Sequence, residues 1–409
     1  MECTSTPDLC ATVRPLVISP VTLLAAFEQI PDPRRAASVV YPLASLLALT
    51  VSGLLANQQS VLAIAEWAAR QGDEVLAPLG LRAGQTPCQS TVQRLLVKLE
   101  SAALSTALST AMATRAPEAG ARGSQGIAID GKAQRGRLQY QTDGCPVHAL
   151  AAVLHGTGIV LAQEAITAGD DKAEAELAVA PALLDRLDWA GRVLTGDALF
   201  CQRHLCQRHL CQQVLAAGGD YLLVVKDNQP TLARDIAWLF ASPTGREQPM
   251  PLRDERVART VERGHGRTND TRQLVATTDL VGYSDWPGLA QVFRLERTWH
   301  EDGTSQHAVH YGVTSLPPEV AGPERLLTLK RHHWQIETGL HFVKDVTLGE
   351  DRCLIHVGQG PIVMAMLRDT VISLIRHSGW RTIASRLRYL ADRPTDAVAL
   401  VVGSPPTGA

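Results

Sequence analysis

Long apolar runs at helical spacing occupy the first quarter of the chain. After Pro20 and the prolines at 31 and 33, Tyr41 to Ala69 carries apolar residues in near-continuous helical register. Leu43 to Ala56 is the most apolar of these segments. Ser45, Thr50, Ser52 and Gly53 interrupt it, and it falls short of the ~20 residues a bilayer span needs, so it predicts a buried core helix. Gly80 to Pro87 reads as a loop, and Ser90 and Thr91 stand where a helix through Val92, Leu95, Leu96 and Leu99 would be capped. Ala113 to Gln125, rich in Ala, Gly and Arg and without a clear period, reads as a linker.

The period then changes. Ile127–Ala128–Ile129 predicts a short strand ending at Asp130. Val147 to Leu154 and Ile159 to Ala165 predict two more, joined by the hairpin signal His155–Gly156–Thr157–Gly158. Lys172 to Leu187 predicts a helix, Arg192 to Thr195 a strand stopping at Gly196–Asp197, Gln202 to Ala217 a helix, and Tyr221 to Val225 a buried strand. Three strands, helix, strand, helix, strand is the order of a ribonuclease-H-like fold, an antiparallel meander extended by parallel strands through helical crossovers. Pro243 to about Ser315 turns β-rich, with runs at 273–276, 290–295 and 310–314. Glu324 to Lys344 and Ile362 to Ile375 return to helix. The expected class is α/β: a ribonuclease-H-like mixed sheet core with a β-rich insertion and a helical N-terminal domain. The expected divisions are a loosely ordered 1–20, a helical DNA-binding 21–116, a first core part 126–240, the insertion 241–318 and a second core part 319–409.

Composition adds exclusions. Hydrophobic residues make up 45% of the 409 and charged residues 20%, which rules out wholesale disorder; aromatics are 4%, so the core must be mainly Leu, Val, Ala and Ile. Thirty-nine Lys and Arg against 41 Asp and Glu exclude a protein that coats nucleic acid by bulk charge, but not one with local basic surfaces. Met1 to Pro15 has no basic stretch followed by an apolar run, so no signal peptide is read. Eight scattered cysteines then predict free thiols and a cytoplasmic location.

Asp130 and Asp197 each end a short apolar strand, and in the expected sheet those strands are neighbours. A lone Asp in such a place is usually a turn or cap residue. Two side by side make an oxygen-rich site for Mg²⁺ or Mn²⁺, and two such ions support phosphodiester cleavage or strand transfer. A third carboxylate must come from elsewhere. Glu337 lies in Arg331–His332–His333–Trp334–Gln335–Ile336–Glu337, with His333, His341 and Lys344 at helical spacing; Asp345, Glu350 and Asp351 compete with it. From Arg325 to Arg388, ten Lys or Arg face five Asp or Glu, and with Trp334 among them they suggest a phosphate-tracking groove beside the site.

Cys201–Gln202–Arg203–His204–Leu205 is repeated as Cys206–Gln207–Arg208–His209–Leu210, and Cys211–Gln212 begins a third copy. Helical positions five apart rotate by about 140°, so the three cysteines share no face and a zinc site is disfavoured. A tandem duplication that bulges or misplaces this helix is the better account. The chain has no GxxxxGK[ST], HExxH or GxSxG motif, so ATPase, zincin and serine-hydrolase readings lack their signatures.

Asp130–Gly131–Lys132, Thr195–Gly196–Asp197–Ala198–Leu199, Tyr221 to Gln229 and His333–Trp334–Gln335–Ile336–Glu337 resemble the signature blocks of the DDE insertion-sequence transposases, closest to the ISAs-type, H-repeat-associated subgroup. Ile30 to Arg34 and Ser90 to Arg94 resemble that family's amino-terminal associated domain. Glu262 to Arg267 with Arg272 resembles its GHGR block, and Leu340 to Val346 with Glu350–Asp351–Arg352 its carboxyl-terminal block. The likeness runs from about Ile30 to Val401 in unbroken block order.

The resemblance implies a catalytic triad of Asp130, Asp197 and Glu337 binding two Mg²⁺ (or Mn²⁺) ions. It implies that Lys344 faces the same side as Glu337 two turns on and holds a DNA phosphate. Lys226, Asn228 and Gln229 would lie near the site, and Arg267 and Arg272 would contact DNA; Arg331, His333 and Trp334 are the groove's candidates. Thr338, Asp227, His356 and Asp369 depart from the subgroup's usual residues without removing a metal ligand. The expected activity is metal-dependent cleavage and strand transfer of an insertion sequence, on terminal inverted repeats and target DNA, by a homodimer on paired ends. The alternatives are a degenerate remnant that binds DNA without cutting it and a ribonuclease-H-like nuclease that cuts without joining.

Overall fold

Ile127, Ala128 and Ile129 are all buried although they alternate in direction, the mark of a strand covered on both faces. They belong to β1 (Gln125–Gln134) in a computed structural model that describes residues 21–134, 147–166, 172–201, 205–241, 252–264, 267–301 and 304–403. The N-terminal 1–20 segment, Gln202–His204 of the pentapeptide repeat and His265–Gly266 lie outside the described residues.

β1 pairs antiparallel with β2 (Val147–Leu154), which pairs antiparallel with β3 (Val160–Ile166). On its other side β1 runs parallel to β4 (Arg192–Gly196), and β4 parallel to β5 (Asp220–Val225). The helices Lys172–Leu184 and Leu205–Ala216 make the two crossovers. This order, 3-2-1-4-5, is the ribonuclease-H-like core anticipated from the strand pattern.

The insertion contributes β6 (Arg256–Gly264), β7 (Arg267–Thr277), β8 (Gln291–Glu301) and β9 (Thr304–Thr314), an antiparallel meander. It is not a separate sheet. β9 pairs with β5 from Leu222↔Thr314 to Val225↔Tyr311, so nine strands form one sheet in the order 3-2-1-4-5-9-8-7-6. Gly312 sits at that seam because a Cβ there would lie 2.2 Å from the Phe293 ring and 2.7 Å from the Leu223 carbonyl oxygen. Asp220, 1% exposed, anchors the start of β5: it takes two hydrogen bonds of 2.9 Å from Arg122 and one of 2.9 Å from Ser315.

Leu43–Leu55 is buried along its whole length, as its composition predicts, and packs against the helices Leu23–Glu28, Gly360–His377 and Pro394–Val402. The amino- and carboxyl-terminal helices thus share one apolar core with β1 to β3. Among the described residues no helix is long and apolar enough to cross a membrane. The sequence reading missed the Pro230–Leu239 helix and gave no bounds to β6 within the β-rich insertion or to the last two helices, Ile383–Ala391 and Pro394–Val402, within the carboxyl-terminal part. It also drew Glu324 to Lys344 as one helix. The α-helix is Pro323–His333, and the chain then widens into π turns over Glu337–His341 and Val343–Thr347.

Candidate active site

Ala128 and Thr195 are the last paired residues of the parallel β1–β4 ladder, so Asp130 and Asp197 stand two residues beyond the same rung. Asp197 caps the short turn Ala198–Phe200, its carboxylate accepting a 2.8 Å hydrogen bond from the Leu199 amide. Asn228, at the end of β5, clamps that turn by donating to the carbonyls of Ala198 (2.5 Å) and Cys201 (2.8 Å).

The Pro323–His333 helix packs over β1, β4 and β5 and reaches β6 and β7, so the chain that follows it emerges above the two aspartates. Ile336 and Leu340, each 1% exposed, root the next turns in the core and leave Glu337 directed at Asp130. His341, one turn on, joins them. Its Nδ1 is 3.3 Å from Glu337 Oε2 and 3.5 Å from Asp130 Oδ2.

Burial first, then the charges of Glu337, Asp197 and Glu176, push the Asp130 carboxyl up to about 8. The hydrogen bond from His341 outweighs desolvation and, with the one from Asp130, holds Glu337 at about 2. The two shifts run in opposite directions because Asp130 is the more buried of the pair and Glu337 receives the stronger His341 contact. Asp197 is close enough to raise Asp130 but stands outside the group formed by Asp130, Glu337 and His341, whose donor atoms all lie within 4.8 Å of one another. The donors are hard oxygens and one imidazole, and the crowded negative charge is what a dication would relieve, so the residues fit such an ion.

Beneath the site, the buried Thr195 hydroxyl links β1, β4 and the helix that leads into the Glu337 segment. Thr195 Oγ1 lies 3.3 Å from the Ile127 carbonyl on β1, 3.2 Å from His333 Nδ1 on the helix, and 2.9 Å from His155 Nε2. Gly126 makes room for the His155 ring, since a Cβ there would meet Nδ1 at 2.2 Å. Burial holds both imidazoles near 3, so both are neutral at pH 7.

Two clefts flank the carboxylates. One, of 710 Å³, is lined by Lys132, Glu337, His341, Phe342, Asp345 and Asp351. The other, of 790 Å³, is lined by Asp197, Lys226, Arg272, Arg297, Lys330, Arg331 and Trp334. Lys226 and Trp334 are exposed in this basic cleft, as the sequence suggested. Arg331 pairs with Glu262, and Arg272 with Glu262 and Asp270.

Other expectations fall elsewhere. Gln229 is 3% exposed, and Asn228 faces backbone carbonyls of the Asp197 turn. His333 is buried on Thr195. The side chain of Arg267 lies outside the described residues. Lys344 does not share the outer face of Glu337. It is 2% exposed, 2.9 Å from Asp369 and 3.2 Å from Glu350, because a seven-residue spacing returns to one face only in an α-helix and the wider π turns intervene. Sequence reasoning also passed over Lys132, which pairs with Asp345 at 2.7 Å, and over Arg297 in the basic cleft, where Lys330, one of the ten basic residues counted for the groove, also lies. Lys132 and Lys330 were legible as basic residues beside motif residues; Arg297 becomes visible only when β8 is placed.

Residues 121–368 match the family described as Transposase DDE domain, and residues 24–112 match DDE_Tnp_1-associated. The chain belongs to the DDE transposases. Similar proteins include "Putative protein YbfL" of Escherichia coli K12, 25% identical over 86% of this chain and 90% of that protein. The "H repeat-associated putative transposase YhhI" of the same strain is 27% identical over 61% of this chain and 63% of that one. "Putative transposase YncI" of E. coli O157:H7 is 25% identical over 87% of each. A solved piggyBac transposase in a synaptic complex with hairpin DNA aligns over 93% of this chain and 79% of that one, with 10% identity and a TM-score of 0.42. This transposase is accordingly an enzyme acting on DNA, from a family that works with divalent cations.

Proposed function

We propose that this transposase cuts DNA at the ends of an insertion sequence and joins the 3′ ends to a target, with Asp130, Asp197 and Glu337 as its metal-holding carboxylates. The convergence of Asp130 with Glu337, 207 residues apart in sequence, carries the reading. When bound, two divalent cations, Mg²⁺ or Mn²⁺, lower the pKa of the attacking water or 3′ hydroxyl and neutralise charge on the leaving oxygen. Asp130 and Asp197 hold their places through strand pairing, and Glu337 through its buried neighbours. Lys226, Lys330 and Trp334 lie in the cleft beside Asp197, where phosphates of the duplex would run and an unpaired base would find a stacking face. Arg272 and Arg331 would extend this surface by exchanging Glu262 for phosphate. A homodimer on paired ends, with the helical 21–116 region helping to grip the terminal repeats, completes the proposal.

The test is cleavage and end joining of a labelled terminal-repeat duplex in Mg²⁺. Wild-type protein should cut and join, while Asp130→Asn, Asp197→Asn and Glu337→Gln bind the duplex and lose both steps. Binding without cleavage by the wild type would identify a degenerate remnant; cleavage without joining would identify a nuclease.

A further inference from the structure

The imidazole of His341 has no assigned part in a site described by three carboxylates. Its position is specific. His341 is 6% exposed, and Nδ1 faces Glu337 Oε2 at 3.3 Å and Asp130 Oδ2 at 3.5 Å. Among the described residues Nε2 is buried without a hydrogen-bond partner, and the ring's polar contacts run through Nδ1. Neighbouring ligands on an octahedral ion with bonds of about 2.1 Å stand about 3 Å apart, close to the 3.3 and 3.5 Å that separate Nδ1 from the two carboxylate oxygens, and all three donors lie within 4.8 Å of one another. Glu337 and His341 are also four residues apart on one helical segment, a spacing that turns two ligands to a single face.

We infer that His341 is a nitrogen ligand to the cation held between Asp130 and Glu337, making that site a mixed two-carboxylate, one-imidazole centre. The inference rests on the metal-dependent reading above and deepens it. Imidazole suits transition ions better than Mg²⁺, which prefers oxygen. The site therefore favours Mn²⁺ over Mg²⁺ more strongly than an all-oxygen site would. The competing arrangement leaves Nδ1–H as a donor to the two carboxylates and the ion bound by oxygen alone.

Pulsed electron paramagnetic resonance of Mn²⁺ bound to the whole protein separates the two. A ¹⁴N coupling from a directly bound imidazole is expected in the wild type and should vanish in His341→Asn. In His341→Asp, which keeps a ligand but makes it oxygen, the ratio of Mn²⁺ to Mg²⁺ affinity should fall about tenfold. Circular dichroism melts of each variant verify the fold. Mn²⁺ that binds in a manner dependent on Asp130 and Glu337, but without nitrogen coupling, overturns the ligand role and leaves the three-carboxylate reading intact. Mn²⁺ affinity unchanged by Asp130→Asn and Glu337→Gln overturns both.

Discussion

Thr195 is buried and uncharged, yet its hydroxyl ties its own strand, which leads into Asp197, to the strand of Asp130 and to the helix preceding Glu337. Thr195→Val keeps the volume and removes the contacts. It should slow strand cleavage at saturating DNA about 10–100-fold, as loss of a ligand-orienting contact does, with DNA affinity unchanged. Thr195→Ser should restore most of the rate, and single-turnover kinetics would distinguish them. The two imidazoles it holds also set an acid limit. Both have folded values near 3 against about 6.5 unfolded, so the unfolded chain takes up more protons as pH falls. Their stabilisation is complete above about pH 6.5 and is lost progressively towards pH 3. Denaturant midpoints across that window should fall less steeply in a His155→Gln, His333→Gln double variant.

At the scale of elements, the segment carrying Glu337 shows how a change of helical winding redirects side chains. Lys344 lies between Glu350 and Asp369, both buried, where its ammonium joins two elements that would otherwise repel. Lys344→Met leaves two uncompensated carboxylates and should cost about 3–5 kcal/mol in chemical denaturation. A lysine whose task was to touch DNA would instead leave folding unchanged. The same segment explains where sequence reading stopped. Asp130 and Asp197 stood out as strand-end residues and Glu337 as an acidic residue among basic neighbours, while the preference for Glu337 over Asp345, Glu350 and Asp351 came from the family resemblance. The core strand order was legible too, since hydrophobic period and turn residues change together at Ile127, His155 and Tyr221. The burial of Gln229, His333 and Lys344 was not legible, because it depends on hydrogen bonding and packing from distant segments. β6 was given no bounds because Val257 and Val261 are exposed and its pattern lacks a buried stripe.

Across the whole molecule, the basic cleft lies between the core and the inserted meander, and Lys226 is its exposed cation nearest β5. Lys226→Ala should weaken binding uniformly across DNA sequences and reduce the salt slope of log K by about one, measured by fluorescence anisotropy. Gly312→Ala presses a methyl group into Phe293 and the Leu223 carbonyl at the β5–β9 seam. It should destabilise the protein by about 1–3 kcal/mol, read from thermal or denaturant unfolding, and broaden the transition if the two halves of the sheet part company. Because β9 is hydrogen-bonded to β5, the nine strands act as a beam stiff to shear. Displacement of the outer meander is thereby carried to β5, the neighbour of the strand that leads into Asp197.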